Sequence, residues 1–322
     1  MFAMGTGTVN ISIADIWHAI MGLFSSNSAN SQINTILFDI RLPRILLALC
    51  LGAILAISGA VMQGLFRNPL ADPSLIGVSG GASVGASIVI VMAGGWIQNG
   101  AALGLSAVAA GAFAGGFIAT ILVYRLATSQ IGTSVTTMLL AGIAIGAIAG
   151  ALNSLLSYFA DNDMLRQISL WQMGNLSTAN WSRVAMVVAV AALLAGLFPR
   201  DSRALNALLL GESEARHLGI DVQRVKRRLI VLTALGIGTS VAMAGMIGFV
   251  GLIVPHAIRL LIGPDHSWLL PGSALAGAIL LIIADSLARV VVAPTELPTG
   301  ILTALLGAPF FVALLIQRRR EI

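Results

Sequence analysis

The chain has 322 residues, of which 57% are hydrophobic and only 10% are charged, and its mean hydropathy is +0.95. Soluble domains carry roughly 25% charged residues, so the composition excludes a soluble globular protein and predicts an all-α polytopic membrane protein. Cys50 is the only cysteine and lies in an apolar run, which excludes disulfides and cysteine metal sites.

The first 24 residues are too polar to cross a bilayer, but they contain a run of apolar residues that share one helical face. A helix with such a face is expected to lie in the membrane interface. The face consists of Ile13, Ile16, Trp17, Ile20 and Met21. No cleavable signal pattern is present in this segment.

Nine apolar segments follow, each near the ~20 residues with which a helix crosses ~30 Å of hydrocarbon. The segment 184–198 is short and is expected to begin at Trp181, and the boundary between residues 245 and 246 is poorly defined by the sequence. The nine predicted spans are residues 45–65, 75–93, 102–124, 135–159, 184–198, 229–245, 246–262, 269–292 and 301–316.

The longest polar interruption, residues 199–228, predicts two short helices separated at Gly211. The first, 203–210, carries an apolar leucine stripe; the second, 212–218, has acidic residues in its first turn, basic residues in its last, and Gly219 as its cap. The stripe consists of Leu205, Leu208 and Leu209. Helices this short are marginal alone in water. The loop is therefore either a coupling element that docks on a partner subunit or a solvated loop with incidental helical turns.

The positive charges predict the orientation in the membrane. If the 199–228 loop is cytoplasmic, 13 of the 18 Lys and Arg residues lie inside and five lie outside. This asymmetry places the C-terminus in the cytoplasm, and nine spans then place the N-terminus outside. The five outer residues are Arg41, Arg44, Arg166, Arg183 and Arg289.

Glycine spacing and a faint internal repeat describe how the spans are organised. Two series of glycines spaced four residues apart, called glycine ladders here, each leave one helix face without side chains and predict close helix packing. Such faces would also allow helices to slide during gating. The ladders are Gly77, Gly81, Gly85 and Gly142, Gly146, Gly150. Residues 44–62 match residues 230–248 at six positions in spans of opposite direction, which favours an inverted repeat typical of transporters. The two pseudo-repeats cover about 1–160 and 180–317 of one transmembrane domain.

Ionisable residues inside the spans are few. Asp285 and Arg289 are four residues apart on one helix, which predicts a structural ion pair. His256 follows Pro255 and is interpreted as a packing residue rather than a metal or haem ligand. The sequence contains no nucleophile–base set, acidic metal cluster or phosphate-binding loop, so we expect no catalytic residues, no metal site and no nucleic-acid partner.

Five motifs resemble those of a known family. They are RLPR at 41–44, GLFRNPLADPSLIGVSGGA at 64–82, GESEARHLGI at 211–220, GFVGLIVPHAIRLLIGPDH at 248–266 and ELPTGILTALLGAPFF at 296–311. The chain resembles the permease subunit of type II ATP-binding-cassette importers for iron–siderophores, haem and cobalamin, and two motifs are most similar to bacterial haem permeases. The resemblance implies a ten-helix fold of two inverted five-helix halves. The segment 6–22 matches the family just after its first helix, so we expect that helix to be missing or truncated.

The resemblance also implies partners and a transport role. The permease would be a homodimer in the bacterial inner membrane, with two cytoplasmic ATPase subunits that bind ATP and Mg and a periplasmic substrate-binding protein that delivers haem. The chain itself would bind no cofactor and would not be an enzyme. Ferric siderophore and cobalamin remain alternative substrates. A secondary transporter driven by an ion gradient and a passive channel or signalling receptor remain alternatives of a different class.

Three sets of site residues follow from the resemblance. The ATPase-coupling residues are Leu208, Leu209, Gly211, Glu212, Glu214, Arg216, Leu218 and Gly219. The residues that dock the binding protein are Arg41, Arg44 and Arg289, which could instead contact lipid phosphates. The inner gate is expected near Ser79, Thr136 and Thr137, with Met138 in the pathway.

Overall fold

A computed structural model of the chain describes residues 2–5, 11–22, 31–97, 101–129 and 132–319. The described residues are largely helical. Short helices α1 (Phe2–Gly5), α2 (Ile13–Gly22) and α3 (Ser31–Asn34) come first, and a π-helical segment, Thr35–Arg41, leads into α4 (Leu42–Leu65).

The remaining helices are α5 (Val78–Ile97), α6 (Ala101–Ala127), α7 (Val135–Phe159), α8 (Asn162–Gln172), α9 (Trp181–Leu197), α10 (Ser202–Leu210), α11 (Glu212–His217), α12 (Val222–Ala244), α13 (Val250–Ile262), α14 (His266–Ala288) and α15 (Thr299–Arg319). Single 3₁₀ turns precede α5 at Pro73–Ile76 and α10 at Phe198–Asp201. A small antiparallel hairpin, β1 (Thr128–Ser129) and β2 (Gly132–Thr133), joins α6 to α7.

Each of the nine predicted spans coincides with a helix. Among the described residues, six helical stretches are long and apolar enough to cross a membrane, and three shorter apolar helices cover 78–92, 250–262 and 299–313. The fifth span begins at Trp181, as expected. The sixth begins seven residues before its predicted start, because Val222, Val225 and Lys226 are buried against the chain. Between the sixth and seventh spans the helix ends at Ala244 and resumes at Val250.

The predicted N-terminal helix forms as α2, but one side of it packs on the chain itself. Ile16 is buried in a small apolar cluster with Ile11, Ala19 and Leu37. Trp17 is exposed, and the side chains of Ile13 and Ile20 lie outside the described residues. The predicted apolar face is therefore partly buried against the chain, at Ile16, and partly exposed, at Trp17.

The two helices that the internal repeat matches, α4 and α12, each pack against helices that are remote in the chain. Helix α4 contacts α13 and α14, and α12 contacts α5 and α6. Glycine pairs allow the α4 contacts, since a Cβ at Gly52 would collide with the Gly277 carbonyl and one at Gly59 with Gly251. The two matched helices, α4 and α12, are consequently the most enclosed of the long helices described.

The two glycine ladders have different surroundings. Gly81 and Gly85 lie against the backbone of α6, where any Cβ would meet a carbonyl oxygen. Gly142 lies equally close to the Leu75 carbonyl, whereas Gly146 and Gly150 face open space within this chain. The first ladder is thus a packing strip, and the second is one only at its first glycine.

Candidate functional site

The 199–228 loop folds into the predicted helix pair, α10 and α11. Gly211 separates the two helices with φ 133°, a backbone conformation that L side chains rarely adopt. Gly219 ends the second helix with φ 80°, and the Ile220 N–H donates to the Ala215 carbonyl across this turn at 3.1 Å. The predicted break and cap are therefore confirmed.

The helix pair is fastened to the transmembrane helices at both ends of the loop. Asp201, which is buried, forms an ion pair with Arg228 on α12, and the Arg228 Nε–Asp201 Oδ2 distance is 2.9 Å. On α10, Asn206 donates to Asp265 Oδ1 at 2.7 Å and accepts from the His266 backbone N–H at 2.9 Å. Hydrogen bonds from the Ser267 backbone N–H and from the Asn206 amide lower the pKa of Asp265. The loop is an ordered platform rather than a free segment.

The second helix is held by its acidic first turn. The Glu212 carboxylate accepts from Lys226 Nζ at 2.6 Å and lies 3.7 Å from Arg216 Nη2 on its own helix. The Lys226 side chain is only 2% exposed, whereas that of Arg216 is 60% exposed. Lys226 therefore provides the buried contact that positions α11.

The apolar residues of the helix pair divide into anchors and exposed residues. Leu205 and Leu208 are buried within the chain, so Leu208 anchors α10 and is not available for a partner as the sequence had suggested. Leu209, Leu210 and Leu218 are exposed by 42%, 70% and 64%. These three are the large apolar side chains of the helix pair and its cap that remain exposed on this chain.

The three arginines that the sequence assigned to docking are brought together in an arginine cluster, which we define as Arg41, Arg44, Asp285, Arg289 and Glu296. Arg44 Nε lies 3.0 Å from both Asp285 oxygens, and Arg44 Nη1 lies 2.6 Å from Glu296 Oε2. Arg289 Nε lies 3.3 Å from Asp285 Oδ2, which confirms the predicted pair on α14. Asp285 thus bridges two guanidinium groups.

Two members of the arginine cluster, Arg41 and Arg289, contact the backbone of α1. Arg41 donates to the Met4 carbonyl, and Arg289 donates to the Ala3 carbonyl at 3.1 Å. All three arginines are buried, and each donates to acceptors of its own chain. The Arg44–Asp285 contact was not predicted, because nothing in the local spacing relates residues 241 positions apart.

The predicted gate residues Ser79 and Thr136 lie apart from each other along the length of α7. Ser79 lines a cavity of about 260 Å³ together with Asp72, Ser74, Gly248 and other residues. Gly80, the next residue, lies against Gly146 and Ala149 of α7. Thr136 lies ten residues before Gly146, which is ~15 Å along a helix, so Ser79 and Thr136 are not neighbours within one chain.

The residues at the start of α7 also differ in exposure. Thr136 and Thr137 are exposed, and Ser134 caps the helix by accepting from the Thr137 N–H at 3.3 Å. Met138 is buried in the hydrophobic core. Met138 therefore acts as a packing residue in this conformation, while the two threonines are available at the surface.

A larger cavity of about 410 Å³ lies among α5, α6, α8 and α12. Its lining is mostly apolar and includes Trp171 and Met243, with Arg183 as its charged member. The Arg183 guanidinium donates to the Thr178 hydroxyl and, at 3.0 Å, to the Met243 carbonyl. Thus Arg183 is engaged by protein acceptors.

His256 packs against an aromatic ring, as expected of a packing residue. Its ring centroid lies 6.3 Å from that of Phe310 in an edge-on arrangement. Within the ranges that the structure describes, no three His, Cys, Asp or Glu residues are grouped so that they could hold a metal ion.

Comparison with known proteins decides the family. The FecCD transport family matches residues 1–317. The chain belongs to the FecCD transport family. It is 45% identical to the hemin transport system permease protein HmuU of Yersinia pestis over 317 residues, covering 98% of this chain and 91% of that protein. It is 46% identical to the vitamin B12 import system permease protein BtuC of Salmonella schwarzengrund over 283 residues, covering 88% and 84%.

Solved structures agree with this assignment. The fold matches a metal-chelate-type ABC transporter in an inward-facing conformation with a TM-score of 0.80 and 34% identity, covering 94% of this chain and 96% of that one. PsaBC from Streptococcus pneumoniae, at 20% identity and a TM-score of 0.54, shares the fold over 92% of this chain and 94% of that one.

As a FecCD family member, the chain is the multi-pass permease of an ABC importer in the inner membrane. FecCD permeases are transport components rather than enzymes, and the ATPase is a separate subunit. The permease works with that ATPase and with a binding protein. The alternatives of an ion-gradient carrier, a channel and a receptor are therefore set aside.

Proposed function

We propose that this permease imports haem. The observation that carries the proposal is the identity with the hemin permease, which extends over 98% of this chain. The vitamin B12 permease is equally identical, but it matches over a shorter part, 88% of this chain. Ferric siderophore and cobalamin are the competing substrates. Neither cavity described here contains a ligand set for iron, which is consistent with a pathway that passes a bulky substrate without binding it tightly.

Transport proceeds by alternating access in a homodimer of ten-helix permeases, each built from two inverted halves. Each of the matched helices, α4 and α12, packs against helices of the other proposed half, and this reciprocal packing supports the inverted repeat. Most of the surface of α7 is exposed, and no atom of this chain lies near the positions that a Cβ would take at Gly146 and Gly150. This open face is consistent with contact to a second copy. ATP and Mg bind to the partner ATPase, and the C-terminus is cytoplasmic.

The ATPase docks on the 199–228 loop. Leu209 and Leu218 enter a cleft of the ATPase, and burial of each is worth about 1.5–3 kcal/mol when complete. Glu212 and Arg216 set the register of α11, Glu214 adds to the acidic first turn, and Gly211 and Gly219 give the helix its fixed ends. Ordered fastening of the loop supports this role, because a preformed surface loses less entropy on binding.

The binding protein docks at the arginine cluster. Three arginines and two carboxylates leave this cluster with a net charge of +1, which attracts acidic lobes of a partner. Because Asp285 and Glu296 already occupy guanidinium groups of the cluster, acidic residues of the partner would be attracted by the net positive charge of the whole cluster. Thr136 and Thr137 form the inner gate, and Ser79 lines the cavity above it.

Transport into proteoliposomes tests the substrate. The permease, its ATPase and its binding protein are reconstituted together, and uptake of haemin, ferrichrome and cyanocobalamin is measured with ATP and with a hydrolysis-deficient ATPase. Haemin uptake that requires hydrolysis supports the proposal. Hydrolysis-dependent uptake of ferrichrome or cyanocobalamin without haemin would replace haem by that substrate.

A further inference from the structure

Lys226 is the only lysine of the chain, and its ammonium group lies at the junction of three elements. From its position on α12, Nζ donates to Glu212 Oε1 on α11 at 2.6 Å and to the Thr133 carbonyl on β2 at 2.9 Å. One buried charge therefore joins the 199–228 loop to the hairpin that precedes α7.

A neutral side chain reinforces the same junction. Gln223, three residues before Lys226 on α12, accepts from the Thr133 N–H at 3.0 Å. Gly132 lies directly against the Gln223 amide with φ 126°, and a Cβ there would collide with that amide. Both backbone polar groups of Thr133 are thus held by α12, two residues before α7 begins.

The chemistry of the buried charge makes this junction stiff. Removing an ammonium from water costs several kcal/mol unless acceptors replace the water, and Lys226 has two such acceptors. A lysine suits this place because the planar arginine fork presents five donors that would all need partners. Displacing Glu212 alone would leave the buried ammonium with a single neutral acceptor. Movement of α11 therefore avoids the cost of an unpaired buried ammonium only if Lys226 and Thr133 move together with Glu212.

The far side of the junction leads to the start of α7. This helix buries only Met138, Ala141, Gly142 and Ala149 of its described residues, so few side-chain contacts within its own chain restrain it. Its N-terminal end is fixed by Ser134 and by the clamp on Thr133. The position of Thr136 consequently depends on α12 and α11.

We propose that Lys226 is a positioning residue that transmits movement of the α10–α11 pair to the first turn of α7. It contacts neither nucleotide nor substrate and acts through Glu212 and Thr133. This inference rests on the proposed function, in which α11 docks the ATPase and Thr136 belongs to the inner gate.

The test measures gate movement directly. Thr136→Cys is introduced into a Cys50→Ala background, the permease is assembled with its ATPase in nanodiscs, and maleimide labelling is compared with and without ATP. ATP hydrolysis and complex assembly are measured on the same samples. With Lys226→Met we expect assembly and hydrolysis to persist while the ATP-dependent change in labelling rate falls about tenfold. Arg227→Met, which removes an adjacent exposed charge, serves as the matched control and is expected to keep the full change.

A second variant covers the outcome in which Lys226→Met does not assemble. Gln223→Ala removes only a half-buried neutral side chain, and we expect it to assemble with a reduced ATP-dependent change in labelling. An unreduced change in any assembled Lys226→Met or Gln223→Ala complex overturns the inference. If the unmodified permease fails to bind the ATPase, or Thr136→Cys alone shows no ATP response, it is the proposed function that fails.

Discussion

Arg44 and Asp285, 241 residues apart in the chain, form a two-point ion pair in which the Arg44 Nε lies 3.0 Å from each carboxylate oxygen. Both side chains are buried, and Thr299 donates to the same carboxylate at 3.1 Å. The pair joins α4 to α14. It therefore fastens two remote segments of the chain at the place where Arg41, Arg44 and Arg289 meet.

We predict that Asp285→Asn destabilises the permease strongly. The substitution keeps the shape of the side chain but leaves Arg44 and Arg289 buried beside a neutral group, which costs about 3–5 kcal/mol. The free energy of unfolding in an SDS titration measures the loss. Glu296→Gln is the control, because its side chain is 33% exposed and Arg44 keeps its contact with Asp285, so we expect a smaller loss. Equal stability of both variants would contradict a structural role for Asp285.

A second prediction concerns docking of the binding protein. Changing Arg41, Arg44 and Arg289 together to Glu would add three carboxylates to a buried cluster that already holds Asp285 and Glu296, so we expect loss of the fold rather than a selective loss of docking. Because Arg44 also holds Asp285, Arg41→Gln alone should slow association at low salt, where electrostatic steering is strongest. Stopped-flow association rates check this, with the exposed Arg166→Gln as control. Wild-type rates for Arg41→Gln would instead favour a purely structural role for these buried arginines.

The two glycine ladders provide a matched pair of substitutions. Gly81→Ala places a Cβ against the α6 backbone and is expected to cost about 1–3 kcal/mol of stability. Gly146→Ala projects into open space and should change the stability of the isolated chain by less than ~0.5 kcal/mol. Thermal unfolding in detergent distinguishes them. A large loss from Gly146→Ala in monomeric permease would show that this face is packed after all.

The fourth prediction separates coupling from folding in the 199–228 loop. Gly211→Pro cannot adopt φ 133°, and Leu218→Asp places a charge on an exposed apolar contact. Both should uncouple ATP hydrolysis from transport while the membrane part remains folded. Leu208→Asp, at a buried position, should instead lower the unfolding temperature. The ratio of ATP hydrolysed to substrate transported is the measurement, and normal ratios in both coupling variants would remove the loop from the docking site.

The sequence by itself determined the features that depend on local spacing. Long continuous apolar runs specify helices, because a helix satisfies its backbone hydrogen bonds within one segment in lipid, and α7 forms with the predicted bounds Val135–Phe159. Gly211 and Gly219 separate and end the short helices for conformational reasons that act within a few residues. Asp285 and Arg289 pair because residues four apart share a helix face.

Only the tertiary structure decided which distant side chains meet. Periodicity shows that Leu208 and Leu209 share a stripe, but burial of the first and exposure of the second depend on how α10 rests on other helices. The pairing of Arg44 with Asp285 and the burial of Lys226 between Glu212 and Thr133 likewise arise from contacts between remote segments. A buried charge is stabilised by whichever acceptors the folded chain places around it, and those acceptors are set by three-dimensional packing rather than by local sequence.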